Sequence, residues 1–473
     1  MANEYDLVVL GGGTGGYVAA IRASQLGKKV AIVEKGALGG TCLHRGCIPS
    51  KALLKSAEVF SQTKNSMEYG VASEGVKLDF GKVQERKQSV VNKLYNGVQS
   101  LMKKGKIDVY EGHGRILGPS IFSPSAGTIS VEMTSGEENV MLLPKNVLVA
   151  TGSAPRTLPG LEVDGEQIMT SDEALEMKEL PASIIIVGGG VIGIEWASML
   201  ADFEVDVTVV EFADRILPQE DKDVSKEMER LLKQKGITIH TGTKLQPETL
   251  NTGDTLTVSA VKKEEELELQ AEKVLVSVGR NANVKDIGLE NTDIEIKNDV
   301  IDTNDMYQTK ESHIYAIGDV IGGLQLAHVA SHEGMTAVEH MNYGTPDPVD
   351  DKLIPSCIYS SPESARVGWT EEEAVEAGFD IKTGKFPFQG VGKALVEGES
   401  DGFVKIIADK NTNDILGVHM IGPDVTNLIS EAGLAKVLDA TPWEVASSIH
   451  PHPTLSEAMG EAAMAVDGKQ IHG

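Results

Sequence analysis

The chain has 473 residues, 70 acidic against 43 basic, for a formal net charge of −27. That surplus argues against a nucleic-acid binder, which needs cations to displace phosphate counterions, and against docking on an anionic membrane surface. A content of 41% hydrophobic and 24% charged residues is ordinary for a soluble globular chain, and the length is too great for one core, so two to four domains are expected.

A first buried strand runs from Tyr5 to Leu10 and meets Gly11, Gly13 and Gly16 in the G-x-G-x-x-G arrangement. A helical stretch to about Leu26 and a second strand, Lys29 to Val33, lead to Glu34. This is the βαβ fingerprint of a dinucleotide site. The first glycine makes a tight turn and the second admits a pyrophosphate. The third lets helix and strand approach, and the acid accepts from a ribose hydroxyl. So early a strand leaves no room for a charged leader, and no apolar run reaches transmembrane length, so a cytoplasmic location is expected.

Eight residues after Glu34 comes Cys42, followed by Cys47; the third cysteine, Cys357, is remote and reads as a core residue. Two cysteines without a nearby histidine pair do not make a zinc site. In a regular helix, residues five apart are separated by about 140° and roughly 7.5 Å of rise. Their Cα atoms would then stand about 8–9 Å apart, beyond the roughly 4.4–6.8 Å of a disulfide. A bond between them requires a distorted helix start, for which Gly46 and the preceding Gly39 and Gly40 provide the means. The alternative is two reduced, buried thiols. Lys51 follows one helical turn later, as a cation favouring a thiolate or as plain surface.

An apolar strand, Val147 to Ala150, ends at Thr151 and Gly152. The fingerprint then returns: strand Ser183 to Val187, glycines Gly188, Gly190 and Gly193, and strand Val205 to Val210 ending at Glu211. Each marked position is displaced by the same 177 residues. A lone glycine turn is weak evidence; a complete duplicate is strong. The economical assignment puts FAD in the first unit, beside the cysteines, and a diffusible nicotinamide in the second. Glu211 favours NAD, because a carboxylate repels the 2′-phosphate of NADP, although Arg215 nearby keeps the choice open. Two more strands end in glycine turns, Val274 to Val278 before Gly279 and Arg280, and Ile314 to Ile317 before Gly318 and Asp319. Beyond about residue 350 the texture changes to strands such as Gly402 to Ala408 and Ile415 to Ile421, with helices after them.

Near the C-terminus, His450-Pro451-His452-Pro453-Thr454-Leu455-Ser456-Glu457 precedes a helix rich in Ala, Met and Glu. Thr454 and Glu457 have the spacing of a capping box. A second reading makes His452 a general base whose tautomer Glu457 fixes. Spacing alone leaves both open.

Together these segments resemble the pyridine nucleotide–disulfide oxidoreductases, essentially from end to end. The cysteine segment, Gly188 to Glu195, Tyr315 to Asp319 and His450 to Glu457 look like the members that oxidise protein-bound dihydrolipoamide for 2-oxo acid dehydrogenase complexes. The resemblance implies an α/β fold of two Rossmann-like nucleotide-binding domains, for FAD and NAD, plus a C-terminal α+β dimerisation domain. The expected segments are 1–152 (FAD, with the redox cysteines), 153–278 (NAD), 279–349 (FAD, second part) and 350–473 (interface). It implies FAD contacts at Gly11, Gly13, Gly16, Glu34, Lys51, Gly114, Thr151, Gly152, Asp319 and Ala327. NAD contacts are expected at Gly188, Gly190, Gly193, Glu211 and Gly279. Cys47 would face the flavin and Cys42 would exchange with substrate. Lys51 and Glu195 would meet near the flavin ring, and His452 backed by Glu457 would come from the second subunit of a homodimer. The implied partner is a dihydrolipoamide acyltransferase (E2) or another lipoyl-domain protein. Departures are His44 and Arg45 between the cysteines, where Asn and Val are common, and Pro451, where Ala is usual. Glutathione reductase, a relative, would prefer cations at the position of Glu211. Mercuric reductase would want a further cysteine pair after Cys357. A flavin-bearing scaffold with an idle redox centre is the reading from another class.

Overall fold

The computed structural model describes residues 3–119, 126–253, 255–344 and 346–472. Two compact units are present, one made of residues 1–52, 84–156 and 279–349, the other of 53–83, 157–278 and 350–473.

In the first unit the strand Asn3–Leu10 lies centrally. It pairs in parallel with Val30–Glu34 on one side and Val140–Val149 on the other. Asp108–Leu117 extends the sheet beyond Val30–Glu34, and Ile314–Ala316 extends it beyond Val140–Val149. Residues 7–10, 30–33, 147–149 and 314–316 are unbroken apolar, buried runs because both faces of the sheet are covered there. Leu7, Val9, Ile32 and Leu148 pack with Ala19, Ala20, Ala337 and Val338 from helices on one face; Val8, Leu10, Ala31 and Val147 pack on the other. The helices Thr14–Gln25 and Ala327–Tyr343 approach through small residues. A Cβ on Gly15 would lie 2.9 Å from the Ala330 carbonyl oxygen. Strands Asp108–Leu117 and Val140–Val149 run longer than their parallel partners because their other ends build an antiparallel meander with Thr128–Met133. The chain leaves this unit along Ser153–Pro155 and returns along Arg280–Ala282, and the two segments pair antiparallel.

The second unit contains a five-stranded parallel sheet. Its order is Thr238–His240, Asp206–Val210, Ser183–Val187, Lys273–Val276, Ile168–Met169. A three-stranded antiparallel sheet spans Thr243–Ala271. The C-terminal segment builds a five-stranded antiparallel sheet in the order Ser356–Ile358, Glu363–Gly368, Ile415–Gly422, Phe403–Asp409, Ile381–Pro387. Its two central strands are buried at every position, with Ile406, Val418 and Met420 in one core and Ile407 and Leu416 in another. The α/β class with two Rossmann-like halves and a C-terminal α+β domain is therefore as expected. No helix among the described residues is long and apolar enough to cross a membrane.

Candidate active site

The two glycine turns are replicas in three dimensions. Gly11 and Gly188 have φ of 103° and 108°, and a Cβ there would lie 2.3 and 2.4 Å from the carbonyl oxygens of Ala150 and Ser277. At Gly16 and Gly193 a Cβ would stand 2.0 Å from the oxygen of Gly11 or Gly188, so only glycine lets helix meet strand. The helices Thr14–Gln25 and Val191–Asp202 begin after Gly13 and Gly190 with no side-chain cap and no acid in the first turn. Their first N–H groups are thus left for an anion, which is what a pyrophosphate requires. The acids match as well. Glu34 accepts from the amides of Gly12 and Gly36, each at 2.7 Å, and Glu211 from those of Gly189 and Ala213, each at 2.6 Å. Both turns fit a dinucleotide.

The cysteine segment is fastened to the first turn. Gly39 N–H donates to the Gly12 oxygen at 2.8 Å, and Gly40 packs so close that a Cβ on it would lie 2.6 Å from the Gly13 Cα. Two helices follow, Gly40–Arg45 and Cys47–Lys64, broken at Gly46 by a non-helical φ of −145° and ψ of −115°. The break brings the Cα atoms of Cys42 and Cys47 to 4.6 Å, and the two are disulfide-bonded. Distortion at Gly46 is thus the solution the five-residue spacing demanded. Both cysteines are half-buried. The unusual His44 turns inward: its Nε2 lies 2.9 Å from the Leu38 oxygen, and its ring stacks edge-on with Tyr95. Lys51 stands half-buried one turn past Cys47.

Around Asp319 the structure adds residues the sequence did not single out. Its carboxylate accepts from the Ser153 hydroxyl, whose oxygen in turn accepts from Arg280 Nε at 2.7 Å; Arg280 Nε itself lies 3.8 Å from Asp319. Thr151 and Gly152 are held by Asn283, which donates its side-chain amide to the Thr151 oxygen and its backbone N–H to Gly152. The Gly318 amide is held by the buried Glu333 at 2.6 Å. Only the adjacency of Arg280 to the Gly279 turn could have flagged this set. Gly114 packs closely, since a Cβ there would meet the side chains of Leu10 at 2.7 Å and Val33 at 3.0 Å. Ala327 opens its helix, half-buried, and Gly279 with φ of 106° opens the returning segment.

In the second unit, Glu195 is buried and accepts from the Tyr359 amide at 3.0 Å. Burial, followed by the neighbouring Cys357, pushes the Tyr359 hydroxyl up to about 12. Cys357 packs at the edge of the C-terminal core.

His452 and Glu457 meet. Glu457 Oε1 lies 2.9 Å from His452 Nδ1, and Oε2 accepts from the Thr454 amide at 3.0 Å. One carboxylate thus serves both readings left open by the spacing: it caps the chain at the helix Glu457–Ala465 and it orients an imidazole. The capping box is half formed, because the Thr454 hydroxyl donates instead to the Pro451 oxygen. Burial pushes the Glu457 carboxyl up, but the Thr454 amide and the His452 ring outweigh it and hold it below its ordinary value. With Nδ1 as donor to the carboxylate, Nε2 is left with a lone pair, as a general base requires. His452 is 77% exposed within this chain, whereas His450 is nearly covered and lies 2.8 Å from Glu431.

Residues 5–334 match the family described as pyridine nucleotide-disulphide oxidoreductase, and residues 354–463 match its dimerisation domain. The chain belongs to this family. It is 69% identical to a dihydrolipoyl dehydrogenase of Bacillus subtilis and 41% identical to one of Zymomonas mobilis, in each case over all of both chains. Among solved structures it is similar to LpdA from Mycobacterium tuberculosis, with a TM-score of 0.89 at 25% identity over 98% of this chain and 99% of that one. It is also similar to the HOCl-induced flavoprotein disulfide reductase RclA from Escherichia coli, with a TM-score of 0.84 at 27% identity over 97% of this chain and 99% of that one. As a member of the family, the protein is a flavoprotein oxidoreductase that uses FAD and NAD.

Proposed function

We propose that the protein oxidises protein-bound dihydrolipoamide to lipoamide and reduces NAD, using Cys42, Cys47, His452 and Glu457. The observation that carries the reading is the Cys42–Cys47 disulfide at a helix break stitched to the first glycine turn. His452 Nε2 takes a proton from one substrate thiol, and the resulting thiolate attacks Cys42 Sγ, breaking its bond to Cys47 and forming a mixed disulfide. The second substrate thiol then attacks the substrate sulfur of that bond, closing the lipoyl ring and releasing Cys42, whose sulfur takes up that thiol's proton. Cys47 remains as a thiolate. Bound FAD supplies the two-electron relay from the cysteine pair to NAD. Gly11, Gly13, Gly16, Glu34, Gly114, Thr151, Gly152, Asp319 and Ala327 would hold FAD, with Lys51 and Glu195 at its ring. Gly188, Gly190, Gly193, Glu211 and Gly279 would hold NAD.

The same reading divides the chain at 152, 278 and 349 into FAD, NAD, FAD and interface segments. It makes the protein a cytoplasmic homodimer through its C-terminal domain, with a lipoyl-bearing E2 chain or another lipoyl-domain protein delivering substrate. Support for the dimer comes from the matched dimerisation domain and from apolar side chains exposed on this segment, Leu434, Leu438 and Trp443 among them. The test is anaerobic mixing with dihydrolipoamide, following the long-wavelength thiolate–flavin absorbance before NAD is added. A band that NAD discharges is expected. No band, or discharge by NADP alone, overturns the reading, and Cys47→Ser should lose the band yet keep FAD. Mixing inactive Cys47→Ser and His452→Ala chains should restore activity if each site takes its base from the second chain.

A further inference from the structure

Arg215 is the nearest cation after Glu211, since residues 205–222 hold only Arg215 and Lys222 as basic groups. Its loop is tied to the second glycine turn. Leu217 N–H donates to the Gly189 oxygen at 2.8 Å, and a Cβ on Gly189 would meet Ile216 at 3.0 Å and Glu211 at 3.1 Å. Arg215 therefore stands on the rim where the ribose of a bound dinucleotide carries either a hydroxyl or a phosphate. A guanidinium there, left to itself, would attract the phosphate.

It is not left to itself. Arg215 Nη2 donates to Glu372 Oε2 at 2.7 Å and Nη1 to Oε1 at 3.3 Å, a two-pronged grip, while Nη2 also reaches the Pro218 oxygen at 3.1 Å. Glu372 comes from the short helix Glu371–Glu376, 157 residues along the chain and outside the nucleotide fingerprint. Lys222, 3.9 Å from the same carboxylate, is drawn to it too. The Glu372 side chain is 46% exposed and Arg215 only 24%, so the pair is reachable from solvent without being fully screened.

We propose that Glu372 is a positioning residue for nucleotide choice: by holding Arg215 in an ion pair, it denies the 2′-phosphate of NADP its cation. Discrimination at this rim then has two parts. Glu211 repels the phosphate and bonds the free hydroxyl, and Glu372 withdraws the arginine that would otherwise reward the phosphate. The proposal rests on the second turn being the NAD site.

The experiment compares kcat/KM for NAD and NADP in wild type, Glu372→Ala, Glu372→Gln and Arg215→Ala/Glu372→Ala, with bound-flavin absorbance and melting midpoint as checks on folding. Glu372→Ala should raise kcat/KM for NADP about tenfold, or about 1.4 kcal/mol, and leave NAD within about twofold. Glu372→Gln, which keeps the shape and loses the charge, should move the ratio the same way by less. Removing Arg215 as well should return NADP to the wild-type value. An unchanged NADP-to-NAD ratio in both single variants, or a gain that persists without Arg215, overturns the proposal alone. A wild-type enzyme that turns over neither nucleotide overturns it together with the site reading.

Discussion

Replacing Glu457 by Gln tests the acid–base half of the site with a nearly isosteric change. The carboxylate uses one oxygen on the His452 ring and the other on the Thr454 amide. Glutamine has one oxygen and one NH₂ to offer. If its oxygen stays on the Thr454 amide, its NH₂ faces Nδ1 and forces the proton onto Nε2, removing the base. If the oxygen turns to His452, the NH₂ faces the Thr454 N–H and leaves a donor against a donor. A hydrogen bond to a charged group is worth about 1.5–3 kcal/mol, and a misplaced proton also removes general-base help worth about 10²–10⁴-fold. At about 1.4 kcal/mol per tenfold, kcat with dihydrolipoamide should fall by roughly 10²–10³-fold. Electron transfer from NADH to a one-electron dye, which needs no thiol proton, should change little. A variant retaining kcat within threefold would refute the role, whatever its stability.

Three further outcomes follow from other sites. Gly40→Ala places a side chain in a φ of 59°, at a cost of about 1–2 kcal/mol, and drives its Cβ against the Gly13 backbone; flavin retained after dialysis should drop, and full retention would contradict the packing. Lys405→Met removes the cation beside Asp221, leaving a carboxylate that is 1% exposed without its closest partner. A loss of about 3–5 kcal/mol should lower the denaturant midpoint clearly, and an unshifted midpoint would refute the pairing. His419 is fully buried, and burial pushes its ring down to about 4. Its folded pKa lies below the unfolded value, so its stability contribution is complete above about pH 6.5 and is lost as pH falls toward about 4. His419→Gln should flatten the acid side of the stability profile, as read by denaturant titration at several pH values between those limits.

The glycine fingerprints were legible because each glycine answers a contact no Cβ allows, and such a requirement is written at one position. The cysteine pair was legible in the same way, since five-residue spacing forbids a regular helix and Gly46 supplies the break. The role of Glu457 could not be decided by spacing, because capping and orienting use different oxygens of one carboxylate. The Ser153–Arg280–Asp319 set was hidden for another reason: its members lie far apart along the chain, and a serine or arginine after a strand carries no periodic signal. The strand Glu265–Ala271 was equally obscure, since it buries only Leu269 and Ala271 beneath a run of solvent-facing acids.

The sheet of the first unit has a consequence for how the chain is made. Strand Val140–Val149 finds its last neighbour only in Ile314–Ala316, about 165 residues later. At a synthesis rate of about 5–20 residues per second, that edge stays unpaired on the ribosome for roughly 8–33 s. An unpaired apolar strand edge invites pairing with another chain. The sheet of the first unit therefore cannot be completed in the order of its synthesis, and its last strand pairing waits until the returning segment has been translated.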